Sequence, residues 1–133
     1  MRTQARETVF KIIFASQFSE DCEGLKRALY KSDKLSENDE QYCDGILKAV
    51  EEHKENFEEI LDKHSKLFPA SRLFPADKSV LYIALAEILY FEDIPNAVSV
   101  NEAANIASKY SSEKSASFVS GILAEIIKER ENV

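Results

Sequence analysis

The residues best suited to catalysis or metal binding are few in this sequence and lie far apart. His53 and His64 are eleven residues apart in a helical pattern, which is too far for both to hold one metal ion as an i, i+4 pair would. The carboxylates between them alternate with Lys54 and Lys63 at the spacing of helical neighbours, which is typical of a solvated face. Gly-rich phosphate loops and nucleophile motifs are absent. The sequence therefore predicts no catalytic residue, no metal site and no cofactor.

Three further chemical groups are given structural rather than catalytic interpretations. Cys22 and Cys43 lack metal-ligand spacing, so we expect two free thiols in a reduced, cytoplasmic protein, with a disulfide as the less favoured alternative. Glu87 is the only charge between Val80 and Phe91, which indicates pairing with an arginine or membership of a buried network. No secretory leader or apolar run of membrane-spanning length is present, so no membrane association is expected.

The charge distribution leaves room for a nucleic-acid surface. The chain has a net charge of −7, but residues 1–18 carry three cations, Arg2, Arg6 and Lys11, against the single acid Glu7. We expect Arg2 and Arg6 on the exposed side of the first helix. Because the local field governs phosphate binding, a short basic face on an acidic body can still bind a polyanion.

The elements that position these residues read as helices throughout. Only three glycines and three prolines occur among 133 residues, which disfavours an all-β fold with many turns. Apolar residues recur at helical spacing over most of the chain. Six stretches show the pattern: 3–18, a short one around 25–29, 42–64 as one helix or two joined near His53, 75–91, 99–110 and 115–127. The stretch after Pro75 is apolar nearly all round, which predicts the most buried helix.

Several helix boundaries and connections are also predicted. Ser99 and Glu102 form a capping-box pattern, with Val98 placed to pack on Ala103. Ser115 or Ser117 is the expected N-cap of the last helix. Gly121 should let a neighbouring helix approach closely, because glycine is otherwise unfavourable inside a helix. The doubled "LFPA" at 67–70 and 73–76 predicts an ordered, partly buried connection.

Two motifs in the second half carry a resemblance to a known family. "DIPNAVSVNEAANIASKY" followed by "SASFVSGIL" resembles the signature of the NusB family, and "ARETVFKIIFASQF" is similar to its opening. The matching residues are Asp93, Pro95, Val98, Asn101, Glu102, Ala103, Ala107, Lys109 and Tyr110, then Phe118, Val119, Gly121 and Leu123. The resemblance implies an all-α, NusB-like bundle of about seven helices in two packed helical subdomains. It also implies that residues 1–133 form a single RNA-binding domain without enzyme activity.

The resemblance further implies partners. Members bind single-stranded boxA RNA of ribosomal RNA leaders together with the ribosomal protein NusE, within the RNA polymerase antitermination complex. Phe118 would stack on a base if its ring is exposed. The alternative interpretation is that Phe118 is a core residue without contact to RNA. The expected RNA-binding residues are Arg2, Arg6, Lys11, Lys114, Ser115 and Phe118, and the expected protein-partner residues are Phe14, Asp77 and Tyr82.

Two other functions are compatible with the same fold. The first is the RNA-binding NusB-like domain of the type fused to ribosomal-RNA cytosine methyltransferases, which the end of the chain at Val133 disfavours. The second is a helical protein-interaction module without RNA, which the acidic balance makes credible. Salt-dependent RNA binding would separate the antitermination factor from the interaction module.

Overall fold

The computed structural model describes residues 2–65 and 72–131, and every regular element in those two ranges is an α-helix or a short helical turn. The helices are α1 (Arg2–Ser16), α2 (Glu23–Ser32), α3 (Glu37–His64), α4 (Pro75–Tyr90), α5 (Asn96–Tyr110) and α6 (Glu113–Glu131). The all-α class is confirmed, with six helices in the described chain rather than about seven.

The count differs because α3 is a single kinked helix. Its backbone leaves helical geometry at His53, where φ is −119° and ψ is 17°, so its two halves point in different directions. The His53 ring stacks on Tyr90, with centroids 4.2 Å apart and ring planes 13° apart. The predicted joint near His53 is therefore confirmed, as a kink at which two helical halves meet.

Helix α4 occupies the centre of the fold, as its sequence predicts. All its residues from Ser79 to Glu87 are buried, and it packs on α1, α3, α5 and α6. Pro75 sits in the first turn, where its missing N–H removes no helical hydrogen bond. An element that is surrounded on all sides needs apolar residues on all sides, which explains the uniform hydrophobicity of its sequence.

Helices α5 and α6 form a closely packed pair against α4. Ala103 and Ala107 give α5 a thin buried face. Of the apolar residues spaced along one side of α6, Val119, Ile122, Leu123 and Ile126 are buried, and Phe118 and Ile127 are half-buried. Gly121 does not lie in this contact. It is exposed, and a Cβ added there would meet no atom within 4 Å, so the predicted close approach is wrong.

Close approach to a glycine occurs instead in α3. A Cβ added at Gly45 would lie 3.1 Å from Cζ of Phe91, a residue just beyond the end of α4. That distance is tighter than ordinary van der Waals contact, so the bare glycine leaves room for the aromatic ring. The glycine that makes room for a neighbouring residue is therefore Gly45 of α3 and not Gly121 of α6.

The predicted caps of α5 and α6 are also wrong. Helix α5 begins at Asn96, directly after Pro95, so Ser99 lies inside the helix and its hydroxyl donates to Glu87 Oε1 at 2.7 Å. Helix α6 begins at Glu113, and Ser112 Oγ accepts from the Ser115 N–H at 3.0 Å. The serine that caps the helix thus precedes both predicted candidates.

The remaining expectations concern connections and thiols. Residues 66–71 of the doubled "LFPA" segment lie outside the described ranges; beyond them, Leu73 is half-buried and Phe74 is 71% exposed. Neither Cys22 nor Cys43 forms a disulfide, and Cys43 is buried. Among the helices described, none combines the length and apolar character needed to cross a bilayer.

Candidate nucleic-acid interface

Arg6 lies in the interior, so its predicted exposure is wrong. The residue is only 4% exposed, because its helical neighbours Val9 and Phe10 also face the core. Its Nε donates to Glu87 Oε2 at 2.7 Å, its Nη2 lies 3.3 Å from Oε1, and its Nη1 lies 3.3 Å from Glu102. Burial lowers the pKa of the guanidinium, but the hydrogen bonds and charge of Glu87 outweigh this, and the pKa is raised overall.

Glu87 is the centre of a buried polar network that joins four helices. Its carboxylate accepts hydrogen bonds from Arg6 of α1, Tyr42 of α3 and Ser99 of α5. Burial and the adjacent carboxylate raise the pKa of the Tyr42 hydroxyl, which stays protonated as a donor. The prediction that Glu87 pairs with an arginine in a buried network is confirmed.

The other two cations of α1 remain partly exposed. The Arg2 side chain is 35% exposed and lies over the ring of Tyr42, 4.3 Å from its centroid. The Lys11 side chain is 36% exposed, and its ammonium lies 3.8 Å from Asp33 Oδ2. The predicted basic face is therefore reduced from three residues to Arg2 and Lys11.

A row of aromatic rings follows α1 toward its C-terminal end. Phe14 lies between Phe10, at 6.0 Å between centroids, and Phe18, at 5.3 Å, while Phe10 also contacts Tyr110 of α5 at 4.8 Å. Phe14 is 37% exposed and Phe18 is 67% exposed. Phe18 was not singled out from the sequence, although the i, i+4 spacing of the three phenylalanines was a signal for one aromatic face.

A groove lies between the beginnings of α4 and α6. It measures about 670 Å³ and is lined by Arg72, Leu73, Phe74, Asp77, Ser112, Lys114, Ser115 and Phe118. It brings together three predicted RNA-binding residues, Lys114, Ser115 and Phe118. Phe118 is half-buried and packs against the core, so one side of the ring is structural while part of it borders the groove. Ser115 is buried and contacts Ser112, so its role there is first to hold the turn.

Asp77 belongs to the same groove and is an unusual carboxylate. It is 5% exposed, and its Oδ1 has no hydrogen-bond partner in the part of the chain that the structure describes. Burial raises the pKa of this group, and a hydrogen bond with Ser115 opposes the rise without cancelling it. A buried, incompletely satisfied carboxylate is costly, so this position is chemically strained unless a donor reaches it.

Tyr82 is not a surface residue, which contradicts the prediction of a direct contact with a protein partner. It is 2% exposed, and its hydroxyl donates to Glu58 Oε1 at 3.0 Å. It borders a different groove, of about 590 Å³, beside α1, α2 and α3. The three predicted partner residues are therefore separated: Phe14 is exposed on α1, Asp77 lies in the α4–α6 groove, and Tyr82 is in the core.

The two histidines pair with other side chains. His53 stacks on Tyr90, and His64 Nε2 lies 2.9 Å from Glu129 Oε2. Within residues 2–65 and 72–131, no group of three or more His, Cys, Asp or Glu side chains is placed to hold a metal ion. The candidate interface is thus made of cationic side chains, aromatic rings and the first turns of helices.

Known proteins with similar sequences share one name. The chain is 37% identical over 131 residues to a transcription antitermination protein NusB from Methylacidiphilum infernorum, covering 96% of this chain and 91% of that protein. It is 38% identical over 129 residues to the protein of the same name from Ruminiclostridium cellulolyticum, covering 96% and 88%.

Solved structures agree with the fold. A T. maritima NusB structure superposes with a TM-score of 0.90 at 28% identity, covering 97% of this chain and 92% of that one. A structure of the antitermination factors NusB and NusE in complex with double-stranded RNA gives 0.86 at 22% identity, with 96% of both chains covered, which bears on the fold alone. The family model described as the NusB family matches residues 3–128. This chain therefore belongs to the NusB family.

Proposed function

We propose that this chain is a non-enzymatic transcription antitermination factor, a single domain that joins single-stranded boxA RNA of ribosomal RNA leaders to the ribosomal protein NusE in the cytoplasm. Its relatives carry the name transcription antitermination protein. The single observation that carries the RNA part is the α4–α6 groove, which both Lys114 and Phe118 line. Proteins that bind single-stranded RNA combine cations, which contact phosphates, with aromatic rings, which stack on bases.

The proposed RNA surface has two parts. Lys114 offers a phosphate contact and Phe118 a partial stacking face at the beginning of α6, while Arg2 and Lys11 supply charge along α1. Arg6 is not among the proposed RNA contacts, because its guanidinium is bound to Glu87 and Glu102. Its role is to fix α1 in place, and Ser115 similarly supports the start of α6.

The protein-partner surface is proposed to be the aromatic row, defined as Phe10, Phe14, Phe18 and Tyr110. Phe14, Phe18 and Tyr110 expose apolar area on one side of α1, which marks an interaction surface. Asp77 lies apart from this row, in the α4–α6 groove, where its unsatisfied Oδ1 would gain a donor from a cationic side chain that the partner extends there. Through this partner the protein would join the RNA polymerase antitermination complex.

One titration tests the RNA part. A boxA-like single strand is titrated with the unmutated protein at several salt concentrations, and then with Phe118→Leu, which keeps apolar volume but removes the planar ring. Loss of one stacked base should weaken binding by about 1 to 3 kcal/mol. Tyr90→Leu is the matched control, because Tyr90 is an exposed aromatic (44%) at the end of α4.

The outcomes separate the candidate functions. Salt-dependent binding that Phe118→Leu weakens and Tyr90→Leu leaves unchanged supports the proposal. Absence of RNA binding at low salt, with and without the ribosomal partner, would leave a protein-interaction module as the better description. Equal effects of both variants would place the RNA elsewhere.

A further inference from the structure

The guanidinium of Arg2 lies over the ring of Tyr42. It lies 4.3 Å from the centroid of the Tyr42 ring, and its Nε is 3.5 Å from Asp39 Oδ1, which is at the outer limit of a hydrogen bond. A guanidinium carries five N–H donors in one plane. In the described ranges Asp39 is the one oxygen acceptor that lies against them, and it faces Nε. The Nη edge is thus available to an external acceptor.

The ring that holds Arg2 is itself fixed. Tyr42 is only 5% exposed, its hydroxyl donates to Glu87, and the ring of Phe91 meets it edge-on at 6.1 Å between centroids. Glu87 is fixed in turn by Arg6 and Ser99. The platform under Arg2 is therefore part of the buried network that joins α1, α3, α4 and α5.

A fixed platform changes what an arginine at a helix start can do. A long side chain near a chain terminus normally samples many rotamers, and it loses that freedom when it binds a phosphate. Stacking on a rigid ring removes part of the freedom in advance and leaves the bidentate edge for the phosphate. Lys11 lacks such a platform, since its recorded partner is the Asp33 carboxylate.

We propose that Tyr42 is a positioning residue for RNA binding, which holds the Arg2 guanidinium over its ring so that the Nη groups meet a backbone phosphate. This inference rests on the proposed function, because it assumes that RNA is the ligand. It adds a residue of α3, with Glu87 behind it, to a surface otherwise drawn from α1 and α6. Tyr42 itself touches no RNA in this arrangement.

A double-mutant cycle tests the coupling between the two side chains. RNA affinity is measured against salt concentration for the unmutated protein, Arg2→Ala, Tyr42→Leu and the double variant. Arg2→Ala should weaken binding and lower the salt slope by roughly 0.7, the value for one phosphate on a single strand. In the Tyr42→Leu background, Arg2→Ala should change affinity by less than about two-fold, because neighbouring residues that act together are not additive. Tyr42→Phe keeps the ring and should keep the full dependence on Arg2.

Three results would overturn the proposal, and they are distinguishable. Equal losses from Arg2→Ala in both backgrounds show that the ring does not position the guanidinium, while RNA binding stands. No effect of Arg2→Ala in any background removes Arg2 from the surface. No RNA binding by the unmutated protein removes the proposed function as well.

A second measurement protects the test from unfolding of Tyr42→Leu, which is checked by circular dichroism. In the unmutated, isotope-labelled protein, the Arg2 side-chain protons should show an upfield ring-current shift and nuclear Overhauser contacts to the Tyr42 ring. Both should persist in Tyr42→Phe. Absence of the contacts in the folded, unmutated protein overturns the proposal without any RNA.

Discussion

Arg6 is the residue whose environment differs most from its chemical type. A buried ion pair costs several kcal/mol to desolvate, and it is retained here because Glu87 also accepts from Tyr42 and Ser99. Removing one partner leaves the other as an uncompensated buried charge. We therefore expect Arg6→Gln to lower the unfolding free energy by about 3 to 5 kcal/mol, measured by urea denaturation.

The control for Arg6 is an arginine on the surface. Arg27 pairs with Glu23 at 3.5 Å and its side chain is 80% exposed, so Arg27→Gln should change stability by at most about 0.5 kcal/mol. A loss below about 1 kcal/mol for Arg6→Gln would show that the network contributes little and that Arg6 could be released to bind RNA.

Asp77 gives the fold a pH dependence of defined sign. Burial raises the pKa of this carboxyl above its ordinary value of 3.8, so the folded state binds this proton more tightly than the unfolded state. Stability from this group is therefore present at low pH and is lost as pH rises from about 3.8 through the folded pKa. Asp77→Asn has no such titration, so its stability relative to the unmutated protein should increase over that window.

The measurement is a series of urea denaturations between acidic and neutral pH. Asp93→Asn, in the exposed connection between α4 and α5, is the control for the loss of a surface carboxylate. A constant difference between Asp77→Asn and the unmutated protein across the series would mean that the carboxylate gains a donor in solution.

Gly121 and Gly45 form a matched pair of positions for testing how a helical glycine affects stability. Both lie inside helices, so replacement with alanine carries the same propensity gain of about 1 kcal/mol. At Gly121 the added Cβ meets nothing within 4 Å, so Gly121→Ala should gain the full amount in thermal or urea unfolding. At Gly45 the Cβ would lie 3.1 Å from Phe91, so Gly45→Ala should gain less or lose stability.

The result has a functional consequence. If Gly121→Ala is stabilising, the glycine in the family motif is not needed for packing in this chain. Equal gains at both positions would show that Phe91 moves aside freely and that the close contact in α3 is not selective.

At the scale of elements, periodicity predicts well and local caps predict poorly. The uniform apolar sequence of α4 gave its central position, and the long pattern of α3 gave a joint near His53. The Ser99–Glu102 pattern failed because Ser99 is drawn to Glu87, a residue twelve positions earlier in another helix. A hydrogen bond to a distant residue decides the position of the Ser99 side chain, and a local sequence pattern contains no information about that partner.

The same limit applies to the candidate site. The spacing of residues along α1 puts Arg6 on the polar side of that helix and so predicts that it is exposed. The spacing does not show that Glu87 of α4 is its partner. Lys114, Ser115 and Phe118 line one groove, because neighbours at the beginning of one helix stay together in any fold. Asp77 joined them through packing of α4 on α6, which sequence spacing does not encode.

At the scale of the whole molecule, charge opposes the proposed ligand. The chain has a net charge of −7, and the remaining cations of α1 are only two, so long-range repulsion should keep RNA binding by the protein alone weak. A basic ribosomal partner docked on the aromatic row would add positive field next to Lys11 and Lys114. We therefore expect the partner to tighten RNA binding and to increase the salt slope in proportion to the phosphates it contacts.

The aromatic row supplies the variant that tests this expectation. Phe14→Ala with Phe18→Ala removes the two most exposed phenylalanines of the row, and these side chains can be truncated without opening the core. The double variant should lose most of the partner-dependent gain in RNA affinity, because truncated aromatic anchors cost about 2 kcal/mol or more each in protein interfaces. Its weak RNA binding without the partner should not change, since neither ring lies in the α4–α6 groove. An undiminished gain in the double variant would place the partner on another face, and a partner that fails to tighten binding by the unmutated protein would remove the adaptor role altogether.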